Sequence, residues 1–536
     1  MNPRTQTTSS TILRPDSTEP PAVPSAQPDD TGKGVLDQQT FQVIEVGELF
    51  GALNHTTTRI GQAVLYRSLT LPPTSAAAIR ERQAAVRELE ENPPLREGVE
   101  RLLEGAKQRE DGFYHLLFGR FLGMVSAPAH ALEFEGYGYT QYTKGTQFML
   151  ELVEAADRLP PPGSPYLREL IEGIRGFTAS RAYALMKGPV YRSEKALLTK
   201  AEKKWYIPAV KFRPSLFKPV GLTVALLLLL AILEFVPLVL DMAASIAPVF
   251  WLFVLPISFV YFPIVGGFDR DGCIYPLRDL FRKSPEVQQT LDALGQLDEL
   301  VSFIRYRQHF PHPVCLPSIL DEKRHSLVVK KLRNPVLAKS STDYVPNDIA
   351  LDSTRLCFVT GPNSGGKTAF CKSLAQTQLL AQIGAYVPAE EAALTVADHI
   401  FYQVPEISHL TDGEGRFGTE LKRTKAIFLA ATPRSLVIMD ELSEGTTHEE
   451  KLEISVSILD GFREKGNTTL LITHNHELVD RYQQQGIGLA QQVEFENDRP
   501  TYRLIDGISR VSHADRIARK IGFSRDDIAQ YLSESK

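Results

Sequence analysis

A glycine-rich run, GPNSGGKT, has the clearest chemistry in this sequence. It follows the apolar run RLCFVT and precedes AFCKSLAQTQLLAQI, in which apolar residues recur at helical spacing. In a strand–loop–helix of this kind, backbone N–H groups and the first helical turn bind phosphate oxygens. The residues that we expect to bind the nucleotide are Gly361, Pro362, Asn363, Ser364, Gly365, Gly366, Lys367 and Thr368. Lys367 should reach the β- and γ-phosphates of ATP, and Thr368 should bind Mg²⁺.

Two further apolar runs end in polar residues. SLVIMDEL contains Asp440 and Glu441, and TTLLITH ends at His474. Asp440 is predicted to bind Mg²⁺, Glu441 is placed to polarise the attacking water, and His474 is expected to sense the γ-phosphate. The alternative is a purely structural role for these residues. The acidic residues would then merely end a strand, and the histidine taken alone would be structural. The predicted catalytic residues are therefore Lys367, Glu441 and His474.

The elements that must position these residues predict a multidomain α and α/β protein. The glycine-rich run, together with apolar strands and helices from residue 306 to 536, indicates a P-loop α/β ATPase domain. Residues 41–305 show apolar side chains at helical spacing, such as Leu49 and Leu53, and predict a helical domain. Residues 1–40 are rich in Pro, Ser, Thr and Asp and predict a disordered tail.

Two long apolar stretches lie inside the helical domain, at about residues 219–240 and 246–265. A membrane-spanning helix needs roughly 20 apolar residues, and both stretches have that length. Lysine and arginine flank the pair on both outer sides, whereas the linking run DMAAS has neither. The positive-inside rule then predicts a two-helix transmembrane hairpin in the inner or plasma membrane, with both globular portions in the cytoplasm. A buried helical hairpin is the alternative.

Composition narrows the class of protein. The chain has 536 residues and a net charge of −5, so it is long enough for several domains and has no global basic field for nucleic acid. Its four cysteines have neither metal-binding nor redox spacing, which indicates free thiols.

The motifs also occur in the order found in a known family. GPNSGGKT, AQIGAYVPA, LVIMDELSEGTT and LLITHNHEL closely resemble the ATPase domain of the MutS family, and LFGALNHTTTRIGQAVLYRSL resembles its helical lever domain. The resemblance implies a P-loop ATPase domain of ABC type that binds ATP and Mg²⁺ and works as a homodimer. Each site would then be completed by the neighbouring copy, and the candidates for that contact are Arg416, Phe417, Gly445, Thr446 and Thr447.

The sequence departs from the family pattern in ways that bear on function. Gly415 stands where the family has a serine, and Arg416 stands where it has a threonine, in the segment that contacts the partner's nucleotide. The lever begins near residue 41, which leaves no room for the mismatch-reading domain in this sequence. The apolar hairpin occupies the interval in which the family has its DNA clamp. These departures predict a protein that does not recognise mismatches.

The function predicted from these features is that of a membrane-anchored MutS-like ATPase. ATP-driven dimerisation would move lever arms attached to the membrane, so the predicted partners are a second copy and membrane lipid. DNA is expected to bind weakly and without preference for mismatches, because the chain offers few phosphate-binding cations. The alternatives are a membrane-tethered DNA repair or recombination factor and an ABC-type transporter. Two spans and the lack of an LSGGQ-like run argue against the transporter.

Overall fold

The computed structural model describes residues 34–119, 138–213, 268–362, 365–405, 415–442, 448–497, 499–509 and 521–534. The helices are α1 Gln38–Val43, α2 Val46–Leu53, α3 Arg59–Thr70, α4 Ala76–Glu91, α5 Pro93–Phe118, α6 Tyr139–Asp157, α7 Pro165–Gly176, α8 Arg181–Lys187, α9 Tyr275–Lys283, α10 Pro285–His309, α11 Lys367–Gln382, α12 Gly415–Ala430, α13 His448–Lys465, α14 His476–Gln484 and α15 Arg525–Glu534. A 3₁₀ turn, Phe177–Ala179, and a π-helix, Phe268–Ile274, precede α8 and α9.

The strands form three sheets. They are β1 Tyr191–Ser193, β2 Leu197–Leu198, β3 Ala209–Lys211, β4 Ser318–Leu320, β5 Leu327–Leu332, β6 Asn347–Leu351, β7 Leu356–Thr360, β8 Glu391–Thr395, β9 Ile400–Gln403, β10 Leu436–Asp440, β11 Thr468–Ile472, β12 Leu489–Glu496 and β13 Arg499–Asp506. The sheet orders are β2-β1-β3, β4-β8-β5-β6 and β13-β12-β7-β11-β10-β9. The predicted combination of a helical part with an α/β part is therefore confirmed.

The chain folds as two compact units. Within the described residues, the first unit contains Thr56–Val64 and most of Glu88–Val301, and the second contains residues 34–55, Leu65–Arg87 and 302–534. The first unit is mainly helical, and the second carries the two larger sheets. The boundaries placed at residues 40 and 305 from the sequence stay a prediction.

In the first unit, helices α5 and α6 pack closely along each other. The rings of Phe113 and Phe148 stack at a centroid distance of 4.9 Å. A Cβ at Gly145 would lie 2.5 Å from Cβ of Leu116, so only glycine permits this approach of the two helices. Close packing of this kind allows many dispersion contacts between the two helices.

The start of α3 is fixed by two acidic side chains that come from elsewhere in the first unit. Asp298 is fully buried and accepts hydrogen bonds from the backbone N–H groups of Thr57 and Thr58, the latter at 2.7 Å, and from Oγ1 of Thr58. Glu110 accepts from the backbone N–H of Arg59 at 3.0 Å. Burial raises the pKa of Glu110 to about 7. N–H groups at a helix start have no partner within the helix, so these carboxyls supply the missing acceptors.

The central sheet of the second unit has a parallel core. Strands β12, β7, β11, β10 and β9 run parallel, and only β13 pairs antiparallel at one edge. Every residue of β7 and of β11 is buried, as expected of strands covered on both faces. The apolar cluster against this sheet includes Phe358, Val437, Met439, Leu459, Phe462 and Leu471.

The opposite edge of this sheet, strand β9, is covered by residues from the beginning of the described chain. The backbone N–H of Ile400 donates to the carbonyl of Val35 at 2.7 Å, and that of Tyr402 donates to Oγ1 of Thr40 at 3.0 Å. Asp37 caps α1 and forms an ion pair with Arg423 of α12. The predicted end of the tail at residue 40 therefore lies within helix α1.

The prediction of an integral membrane protein is wrong. Among the helices that the structure describes, none is both long enough and apolar enough to cross a bilayer. The two stretches on which the prediction relied, about 219–240 and 246–265, lie outside the described residues. The prediction was based on hydropathy and flanking charge, which are properties of composition. The observed helices do not support the transmembrane hairpin, the inner or plasma membrane localisation or the orientation inferred from it.

Replacing Asp298 by alanine should lower the free energy of unfolding by about 3 kcal/mol, because the N–H groups at the start of α3 would lose their acceptor in a buried place. Gly61→Ala should also destabilise, since its Cβ would lie 2.1 Å from a carboxylate oxygen of Asp298. Gly51→Ala is the control, because nothing lies within 4 Å of its Cβ. Urea unfolding measures all three, and an Asp298→Ala protein as stable as the Gly51→Ala protein would contradict the capping role.

Candidate nucleotide-binding site

The glycine-rich run begins directly after β7, and its last two residues are the first two of α11, in the strand-to-helix context that the sequence predicts. Gly361 and Gly366 have φ angles of +128° and +86°, a region that side chains other than glycine rarely adopt. The Lys367 side chain is buried and its Nζ donates to the carbonyl oxygen of Gly361 at 2.6 Å. Burial lowers the pKa of Lys367, against the opposing effect of the carboxylates of Asp440 and Glu441. The ammonium group therefore folds back onto the carbonyl of the first glycine of the run.

Thr368, in the first turn of α11, meets Asp440, the last residue of strand β10. Oγ1 of Thr368 donates to Oδ2 of Asp440 at 3.0 Å, although the two residues are 72 positions apart. Hydroxyl and carboxylate oxygens are hard ligands of the kind that Mg²⁺ takes, and this ion commonly uses one or two protein ligands together with phosphates. The described residues contain no cluster of three or more His, Cys, Asp or Glu that could hold a metal ion on its own. The pair therefore fits Mg²⁺ bound with a nucleotide.

Glu441 follows Asp440 directly, and its backbone has a φ of +65°. Its backbone N–H donates to the carbonyl of Ile472 at 2.9 Å, which holds this uncommon conformation. The side chain is 9% exposed. Its carboxylate accepts from the backbone N–H of His474 at 2.9 Å and from Oγ1 of Thr473 at 3.3 Å. The carboxylate is thus held by the end of strand β11.

His474 is placed at the end of β11, next to Glu441. Its ring is 47% exposed, and Nε2 lies 3.9 Å from Oε1 of Glu441. Asn475 then caps helix α14 by accepting from the N–H of Leu478. The imidazole is therefore accessible from solvent, while its backbone belongs to the ordered junction between strand and helix.

The structure brings together some of the predicted residues and does not describe others. Six of the predicted residues lie together where the inner strands β7, β10 and β11 of the central sheet end. They are Gly361, Lys367, Thr368, Asp440, Glu441 and His474. Phe417 is half-buried in the first turn of α12, which also contains Arg416. The remaining predicted residues that lie outside the described part of the chain are Asn363, Ser364, Gly445, Thr446 and Thr447.

A buried layer of polar side chains fixes the part of α11 that is remote from the phosphate loop. Nε2 of Gln376 donates to the carbonyl of Ile44 at 2.8 Å, and Asn334 donates to Gln376 at 3.0 Å. Nε2 of Gln378 donates to the carbonyl of Thr395 at 2.9 Å. These amides reach backbone carbonyls far apart in sequence, so the helix that begins at the phosphate loop has a fixed position within the second unit.

Comparison with known proteins agrees with this geometry. Residues 357–530 match MutS domain V, and residues 35–120 match MutS domain III. Two segments of the chain thus match domains of the MutS family. It is 34% identical over 258 residues to the DNA mismatch repair protein msh3 of Aspergillus niger, covering 45% of this chain and 22% of that protein. It is 37% identical over 201 residues to the DNA mismatch repair protein MutS of Desulforamulus reducens, covering 36% of this chain and 22% of that protein. The matched part thus spans about a fifth of the length of these relatives.

Within the segment that matches domain V, Tyr502 lies beside the candidate site, although no sequence motif includes it. A Cβ at Gly366 would lie 3.2 Å from Cδ1 of Tyr502, so the ring lies beside the residue that immediately precedes helix α11. Tyr502 is 55% exposed and has a φ of +60°. Asn347 fixes it by donating to its carbonyl and accepting from the N–H of Leu504. An exposed aromatic face beside a phosphate loop can stack on a nucleotide base.

Replacing Tyr502 by alanine should weaken ATP binding about tenfold, because a stacked base gains roughly 1–3 kcal/mol from an aromatic ring. Tyr502→Phe should bind as the unchanged protein does, since it keeps the ring. Ile505→Ala, on the same strand and also exposed, is the matched control. Titration with a fluorescent ATP analogue measures the affinity, and equal affinities for the Tyr502→Ala and control proteins would contradict the stacking role.

Proposed function

We propose that the chain is an Mg²⁺-dependent ATP hydrolase that works as a dimer of two copies. The observation that carries the proposal is the 3.0 Å hydrogen bond between Thr368 and Asp440. It joins the hydroxyl that ends the phosphate-binding run, in the first turn of α11, to the carboxylate that ends strand β10 of the central sheet. Glu441 follows at once, so a metal-binding pair and a candidate base are adjacent. Both domain matches and the named relatives agree with this class of protein.

Each residue has a defined part in the proposed reaction, in which the γ-phosphoryl group passes to water. Lys367 exchanges its bond to the Gly361 carbonyl for bonds to phosphate oxygens. Thr368 and Asp440 would hold Mg²⁺, and its charge would offset the negative charge of the phosphates. Glu441 orients the attacking water and takes up its proton. His474 donates from its exposed ring to the γ-phosphate.

Glu441→Gln should bind ATP with nearly unchanged affinity but hydrolyse it at least about a hundredfold more slowly, because general base catalysis contributes roughly 10²–10⁴. Lys367→Ala should weaken ATP binding instead, because the phosphates lose their cation. Phosphate release and nucleotide titration separate the two effects.

Glu453→Gln is the control for this experiment, since Glu453 is exposed on α13. Hydrolysis by Glu441→Gln at the rate of the unchanged protein would remove Glu441 from the role of base. Absence of ATP hydrolysis by the unchanged protein would refute the proposed function itself.

The dimer is proposed because the resemblance places the start of α12 against a neighbouring copy. Phe417 lies in this turn, and Leu421 and Leu429 of the same helix are exposed by 39% and 69%. Exposed apolar side chains on one helix are a surface that a partner can bury. Arg416 would supply a positive charge to the nucleotide of the other copy, in place of the family's hydroxyl.

ATP should convert the Glu441→Gln protein from monomer to dimer, because slow hydrolysis keeps the nucleotide between the two copies. Light scattering after size-exclusion chromatography measures the mass with and without ATP. Phe417→Ala in the Glu441→Gln background should weaken the dimer, whereas Lys425→Ala, exposed on the same helix, should not. A mass that stays monomeric with ATP at the highest soluble concentration would contradict the dimer.

DNA is the second candidate partner, and the observation that favours it is the similarity to proteins named for DNA mismatch repair. The hydrolysis assay distinguishes this possibility when it includes perfectly paired and single-mismatch duplexes. A rate that rises equally with both would favour DNA binding without mismatch recognition. A rate unaffected by either duplex would favour an ATPase that acts on another partner.

A further inference from the structure

Lys451 lies next to the candidate base, although no sequence motif includes it. It belongs to helix α13, and its Nζ is 3.7 Å from Oε2 of Glu441. The Lys451 side chain is only 21% exposed, and the Glu441 side chain is 9% exposed. Because the Lys451 side chain is largely buried, packing restricts the positions that its ammonium group can reach. The two charges therefore form a partly desolvated ion pair.

Two hydrogen bonds to the Glu441 carboxylate come from the residues at the end of strand β11. The donors are the backbone N–H of His474 at 2.9 Å and the hydroxyl of Thr473 at 3.3 Å, both neutral. Lys451 adds a full positive charge from helix α13. A carboxylate that is held from a strand end and from a helix has fewer orientations available than one held from either alone.

We propose that Lys451 is a positioning residue that keeps the Glu441 carboxylate in the orientation needed to direct water. This inference rests on the proposed function and adds a residue to its site. Loss of one partner of a poorly hydrated ion pair leaves the other charge uncompensated. Without Lys451, Glu441 would turn towards other positive charge, and the buried ammonium of Lys367 is close enough to interact with it electrostatically. The carboxylate would then compete for the phosphate-binding lysine in place of orienting water.

Lys451→Met tests the proposal, because methionine keeps much of the apolar stem and removes the charge. We expect kcat for ATP hydrolysis to fall at least about tenfold while KM changes less than about twofold, as for an interaction that acts on the chemical step. Lys451→Arg should restore most of the rate, since it keeps the charge. Lys425→Met removes an exposed lysine from α12 and is the control.

A double-variant comparison separates positioning from a general structural role. Lys451→Met should have little further effect in the Glu441→Gln background, because Lys451 acts through the Glu441 charge and coupled residues are not additive. An equal fold-decrease in both backgrounds would overturn the proposal, as would a normal rate for Lys451→Met. Failure of Lys451→Arg to restore the rate while it binds ATP normally would also overturn it.

The two proposals can fail separately in this experiment. If the unchanged protein hydrolyses ATP and Lys451→Met does so equally well, only the role of Lys451 is lost. If the unchanged protein hydrolyses no ATP, the proposed function is refuted. The role of Lys451 is then refuted with it, because there is no hydrolysis reaction for which Glu441 must be positioned.

Discussion

The parallel register of strands β7, β11 and β10 is the constraint on which the site depends. Ile472 pairs with Val359 on one side and with Asp440 on the other, so the three strands end at one level. The phosphate loop, the acidic pair and His474 begin from these ends. A shift of one residue in any strand would turn its side chains to the opposite face of the sheet. Each strand is buried on both sides, which makes such a shift costly.

Much of the site could be predicted from sequence because its chemistry is local. The run from Gly361 to Thr368 is contiguous, and Asp440 and Glu441 are adjacent, so their type and order are visible without a structure. Tyr502 and Lys451 could not be found in this way. Tyr502 reaches Gly366 from an antiparallel edge strand, and Lys451 reaches Glu441 from a later helix. Neither contact corresponds to a residue spacing that could be recognised in the sequence.

The fold could be predicted from the sequence to a similar extent. Helical and α/β parts follow from apolar periodicity, but periodicity does not say which distant residues complete an element. Asp298 supplies acceptors to the start of α3 across 240 positions. The error over the membrane has a related cause, since hydropathy scores a segment by its own composition. The helices that the structure describes contain no bilayer-crossing segment, and the apolar stretches in question lie outside them.

The cover over strand β9 has a consequence for how this protein can be divided. Val35, Asp37 and Thr40 bind β9 and α12 from more than 350 positions away. A fragment cut at residue 306 would contain every nucleotide-binding motif, yet its edge strand would present unpaired backbone groups. Such an edge invites pairing with other chains and aggregation. The unit that carries the candidate nucleotide-binding site is therefore discontinuous in sequence, and we expect a fragment of it to need the beginning of the described chain to stay soluble when produced alone.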